Sequence, residues 1–146
     1  MRRHRYCVAH TLTGRYVRRK TMKLYRSDDE IEISGSVEEL QKVYKKLNSI
    51  QAKAQIVFEF DTNGGSGLYD FLESNLTVTV INRPASARYV DGKGVVIEGN
   101  VVSLKVLASF FDFDLEAEVG CHYHWDEACD SQFVAPGTLP IVISIT

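Results

Sequence analysis

Cysteine is scarce in this chain: Cys7, Cys121 and Cys129 are the three in 146 residues. So small and odd a number excludes the dense disulfide framework of a small secreted domain. No apolar run approaches the roughly 18 residues that a membrane-crossing helix needs. The segment from Tyr6 to Gly14, behind the basic N-terminus, is too polar for the core of a signal peptide. Acidic residues are missing altogether from residues 1–23, which carry eight basic side chains (Arg2, Arg3, Arg5, Arg15, Arg18, Arg19, Lys20 and Lys23). The rest of the chain holds nine basic and all 19 acidic side chains, a net of −10, so the formal total of −2 conceals a split. A uniformly basic nucleic-acid binder is therefore excluded. With 45% hydrophobic residues, so is a disordered chain. The length suits one domain, or two very small units sharing a core. The cytoplasm is the expected compartment.

Residues 1–22 are expected to form a poorly ordered basic extension. As an arm it would bind nucleic acid or a membrane surface. Its Arg-rich, acid-free composition also suits an organelle targeting peptide. The favoured reading is upstream sequence, with Met22 as the functional start, because the folded pattern begins at Lys23-Leu24-Tyr25.

From Lys23 onward the chain reads as an internal duplication. At an offset of 64, Tyr25 matches Tyr89, Ile31 matches Val95, Ile33 matches Ile97 and Gly35 matches Gly99. The helix caps Ser36 and Asn100 come next. Val37, Leu40, Val43, Tyr44 and Leu47 then match Val101, Leu104, Leu107, Ala108 and Phe111. Beyond the helix the offset becomes 65, setting Phe58-Glu59-Phe60-Asp61 on Tyr123-His124-Trp125-Asp126, and Val78-Thr79-Val80 on Ile143-Ser144-Ile145.

Each half, 23–82 and 87–146, reads as ββαββ. A short strand meets a turn rich in Asp or Gly. The next strand alternates, with Ile31 and Ile33 on one face and Glu30 and Glu32 on the other. Ser36 and Glu39 form a capping box, and the apolar stripe behind them is helical. A strand (55–61, or 120–126), a polar loop (62–67, or 127–132) and a last strand (76–81, or 141–145) complete the unit. The fold class is α+β. Each repeat is expected to make an antiparallel sheet with one helix on it, and the two to pair as one pseudo-symmetric unit, since about 60 residues are marginal alone.

The segment Cys121-His122-Tyr123-His124-Trp125-Asp126-Glu127-Ala128-Cys129 concentrates groups able to bind a metal. Strand geometry divides them: Cys121, Tyr123 and Trp125 point to the core, and His122, His124 and Asp126 point away. Cys121 is then a small buried hydrophobe. His122 and His124 lie about 6–7 Å apart at Cα and could chelate one ion, which Asp126 would reach only through a bulge. A solvent-facing strand with two ordinary histidines is the simpler reading, so no cofactor is expected. No Gly-x-Ser-x-Gly elbow occurs. Cys129 with His124 lacks an orienting third group. Gly64-Gly65-Ser66-Gly67 lacks the Lys-Ser/Thr of a phosphate loop and reads as flexible. The chain is therefore not expected to be an enzyme.

The strings "GVVIEGNVVSLKVLASFF" and "HYHWDE", with an aliphatic strand behind them, carry a family likeness. Residues 87–146, and more weakly 24–82, resemble the small immunity proteins of bacterial polymorphic-toxin systems, in particular immunity protein family thirty-two. The matching positions are Gly99, Leu104, His122, His124, Asp126 and the strand 141–145. The first half departs, with Val57 and Glu59 at the two His positions. The resemblance implies a small, cytosolic, non-enzymatic protein that binds and neutralises a cognate toxin, often a nuclease. The acidic body fits a basic partner. The candidate partner-binding residues are Glu59, Asp61, His122, His124 and Asp126, taken as one exposed strand face. Two alternatives are a metal-dependent hydrolase or metal-binding protein using His122 and His124, and nucleic-acid binding through the basic N-terminal segment.

Overall fold

A computed structural model describes residues 21–146 and the two-residue strand Arg5–Tyr6. Strand β1 is Arg5–Tyr6. Strands β2 (Lys23–Ser27) and β3 (Glu30–Gly35) form an antiparallel hairpin around Asp28-Asp29. Leu24, Arg26, Ile31 and Ile33 are buried on one side of it. Helix α1 (Val37–Asn48) starts from its capping box: Glu39 N–H donates to Ser36 Oγ and Ser36 N–H to the Glu39 carboxylate, both at 3.1 Å. Val37, Leu40, Val43 and Leu47 form its buried stripe.

Strands β4 (Gln55–Glu59), β5 (Phe71–Glu73) and β6 (Asn75–Val80) come after the helix. The second half supplies the hairpin β7 (Ser86–Val90) and β8 (Gly94–Gly99), helix α2 (Val101–Ala108) with a 3-10 turn to Phe111, β9 (His122–Trp125) and β10 (Ile141–Ile145).

The class is α+β, with two helices and mostly strand. The expectation that each half builds its own antiparallel sheet is corrected. The strand pairs are exchanged. One sheet runs β1-β9-β10-β3-β2-β5 and the other β4-β6-β8-β7. Each is a mixed sheet that joins a hairpin from one half to a strand pair from the other through a parallel contact. β10 lies on β3 with Ile141 opposite Ile31 and Ile145 opposite Gly35; β6 lies on β8 with Leu76 opposite Val95 and Val80 opposite Gly99. Each junction closes with the same backbone bond at 2.9 Å, Thr146 N–H to Gly35 O and Ile81 N–H to Gly99 O. The exchange places β3, β6, β8 and β10 inside their sheets. All four carry consecutive buried residues (Ile33-Ser34-Gly35, Leu76-Thr77-Val78, Val95-Val96-Ile97 and Ile141-Val142-Ile143) instead of strict alternation.

Two details of the sequence matching also change. The second hairpin turns through Asp91-Gly92-Lys93, one residue more than Asp28-Asp29, so Arg26, not Tyr25, holds the place that Tyr89 holds. Phe58 sits opposite Leu76, and Trp125, not Tyr123, sits opposite Ile141. That second shift is by two residues, so the faces are unchanged: Phe58, Phe60, Tyr123 and Trp125 are all buried.

One core runs through both sheets and both helices, with Leu24, Ile33, Leu40, Val78, Ile97, Leu104, Trp125 and Ile143 among its members. The helices pack on each other. Gly99 allows a close crossing, because a Cβ there would lie 2.8 Å from Ala85 Cα.

Order begins before Lys23. Met22 is buried, and the backbone N–H groups of Thr21 and Met22 both donate to the Glu39 carboxylate. Within the expected extension, Arg5 and Tyr6 pair with Tyr123 and His122 and add an edge strand. The remainder of that extension, with the proposed nucleic-acid arm, lies outside the described residues. Cys121 is buried as expected but disulfide-bonded, whereas Cys129 is a free thiol. Among the described residues no helix is long and apolar enough to cross a membrane.

Candidate functional site

The six-stranded sheet turns Ile31, Ile33, Tyr123, Trp125, Ile141 and Ile143 inward. Alternation therefore presents the intervening residues on the other face. The register aligns them in rows. His124, Val142, Glu32, Tyr25 and Leu72 cross the sheet in one row, and His122, Ser144, Ser34 and Lys23 in the next.

Residues 62–70 fold against one end of this face. The Tyr69 hydroxyl donates to Glu30 Oε2 at 2.7 Å, and its ring stacks on Tyr25 with centroids 5.5 Å apart. Asp70 N–H donates to Ser27 Oγ, and Ser66 Oγ to Tyr69 O. Lys23 anchors the start of the segment by an ion pair to Asp61 at 3.1 Å and a hydrogen bond to Asn63 O. Between loop and sheet lies a cleft of about 520 Å³, lined by Tyr25, Asp29, Glu30, Glu32 and Tyr69, with fully exposed Leu68 at its rim.

The cleft is strongly negative. None of Asp29, Glu30 and Glu32 has a cationic partner within ion-pair distance among the described residues. Burial pushes the Glu32 carboxyl above its ordinary range and neighbouring Glu30 adds to the rise, while the charge of His122 and a hydrogen bond from Tyr69 oppose it. Burial, the bond to Glu30 and the nearby Glu32 charge push the Tyr69 phenol well above its ordinary value. It is a fixed hydrogen-bond donor across the physiological range.

The five candidate residues from the sequence do not form one face. His122 and His124 do lie together, ring centroids 5.1 Å apart, on the outer face of the six-stranded sheet. Glu59 is on β4, in the other sheet. Asp61 lies beyond it, its carboxyl held below the ordinary range by the Asn63 N–H and by Lys23. Asp126 is used in a turn, its Oδ1 accepting from Ala128 N–H at 2.8 Å. The exchange of strands separates residues that the halves, folded alone, would have aligned.

The metal reading gains no third ligand. Among the described residues no three His, Cys, Asp or Glu side chains are placed to hold an ion. His122 Nδ1 lies 3.0 Å from Gly120 O. Cys129 faces the backbone oxygen of His124 at 3.9 Å, and burial raises its thiol pKa, the opposite of what a nucleophilic thiolate needs. The glycine-rich segment has positive φ at Gly64 and Gly67 and forms part of the cover over the cleft.

Sequence reasoning misses the cleft because Tyr69 is distant in the chain from Tyr25 and Glu30. The available signal is the outward pair Glu30 and Glu32 on a strand whose inward residues are isoleucine. A scan against protein-family models, a search of curated proteins and a search of solved structures each find no match.

Proposed function

We propose that this protein is a non-enzymatic immunity protein that binds and neutralises a basic toxin through the outer face of its six-stranded sheet. The observation that carries this reading is the cleft itself. Asp29, Glu30 and Glu32 stand there without an ion-pair partner among the described residues, beside two tyrosines and an exposed leucine. Aromatic rings, an apolar anchor and uncompensated charge are what a protein interface uses for affinity and orientation. A nuclease is the toxin class that fits best, because a protein that binds a polyanion is basic. The family resemblance of residues 87–146 supports the same class.

We also infer that the two halves descend from one ββαββ unit. The matching parallel registers and the capped helix after each hairpin support a duplication. The cytoplasm is the compartment proposed, consistent with three cysteines. The disulfide at Cys121 is the observation that favours an oxidising compartment instead.

The test is capture of the protein encoded by the neighbouring gene. A tight, salt-sensitive complex that silences that protein's activity is the expected result. No complex, or turnover of a substrate by this protein alone, overturns the reading.

A further inference from the structure

We propose that the cleft formed by Tyr25, Tyr69, Glu30 and Glu32 is a receptor for a single arginine side chain of the partner protein. This rests on the reading that the protein binds a basic partner, and it names the chemistry by which it does so.

The molecule already contains such a receptor, filled from within. On the inward side of the same strand, Arg26 places its guanidinium carbon 3.6 Å from the Tyr89 ring centroid and 4.4 Å from that of Phe71. Its Nε donates to Glu73 Oε1 at 2.9 Å. Two aromatic faces and a carboxylate thus hold the guanidinium of a residue that is only 7% exposed. One residue away, Tyr25 points to the other side of the sheet and meets the same kinds of group: a second tyrosine, Glu30 and Glu32. There, among the described residues, no cation lies within ion-pair distance of Glu30 or Glu32, and only the more distant charge of His122 acts on Glu32.

Arginine fits this arrangement better than lysine. A planar guanidinium stacks on a tyrosine face and reaches two carboxylates with its fork of N–H groups, whereas an ammonium is a compact, strongly hydrated point charge. The stem would lie along Leu68, which is exposed at 103% of its reference area. Tyr69 is pre-positioned by its bond to Glu30, so little ordering is needed on binding. A cation between Glu30 and Glu32 would relieve the repulsion between these two carboxylates.

The experiment is an NMR titration of the full chain with N-acetyl-arginine methylamide, and separately with its lysine analogue, following the ring signals of Tyr25 and Tyr69. We expect saturable shifts at both rings, a dissociation constant on the order of millimolar, and binding at least threefold weaker for lysine. Glu32→Gln should weaken the arginine probe by about tenfold, the loss of one charge-assisted bond. The same variant should weaken the complex with the basic partner by at least as much. Absence of saturable shifts, or equal binding of the lysine analogue, overturns the proposal. So does a partner complex of unchanged affinity in Glu32→Gln. If the probe fails and the partner still binds, the cleft assignment falls and the proposed function stands. If no partner complex forms at all, the proposed function falls.

Discussion

Glu32 and Glu39 lie within eight positions of one another, yet the fold treats them oppositely. For Glu32, burial outweighs everything else and raises its folded pKa above the ordinary 4.5. Its charged form is therefore a cost to the fold: absent below the unfolded pKa and fully present above the folded one. For Glu39, burial also works upward, but hydrogen bonds from Ser36, Thr21 and Met22 outweigh it and lower the folded pKa. It contributes stability that is present above 4.5 and is lost as pH falls through the lowered value. Glu32→Gln should thus raise Tm at pH 7, with the gain vanishing in acid. Glu39→Gln should lower Tm at pH 7, with the deficit shrinking in acid. Thermal unfolding of both variants at several pH values checks these signs.

At the scale of elements, α1 is the unit most fully written in local sequence. Its cap, acidic first turn and apolar stripe all agree, and the helix is found from Val37 to Asn48. Ser36→Ala removes the acceptor for Glu39 N–H and should cost about 1 kcal/mol, the usual value for a lost N-cap; urea unfolding measures it. The hairpins and the last strand of each half are legible for the same reason: turn chemistry and alternation act over a few residues. The exchange of strand pairs is not, because a parallel contact such as Ile31 with Ile141 joins residues far apart in the chain. Its trace lies in the runs Val95-Val96-Ile97 and Ile141-Val142-Ile143, which mark strands covered on both faces. Strand β5 leaves no signal because three residues are too few for a pattern. The site divides in the same way. Alternation alone puts His122 and His124 on the outward face, where they are found. Grouping Glu59 with them requires halves that do not exchange strands, whereas Asp61 reaches the edge of this face through its ion pair with Lys23.

At the scale of the whole molecule, exchange makes the halves mutually dependent. A hairpin from one half and a strand pair from the other share every sheet, and the core is common to both. A fragment ending at Asn82 should be unfolded alone, as should one beginning at Arg83, and their mixture should regain native circular dichroism. Independent folding of either fragment would contradict the exchanged topology.

The same molecule carries −10 over residues 24–146 and concentrates part of that charge on one face. The capture of a basic protein by this face is the proposal on which the rest depends. The most direct measurement is calorimetric titration of the neighbouring gene product into the native protein and into Glu30→Lys/Glu32→Lys, at low and high salt. A one-to-one complex with the native protein that weakens with salt is expected, with at least a hundredfold loss in the double variant. Affinity indifferent to both salt and charge reversal would contradict it.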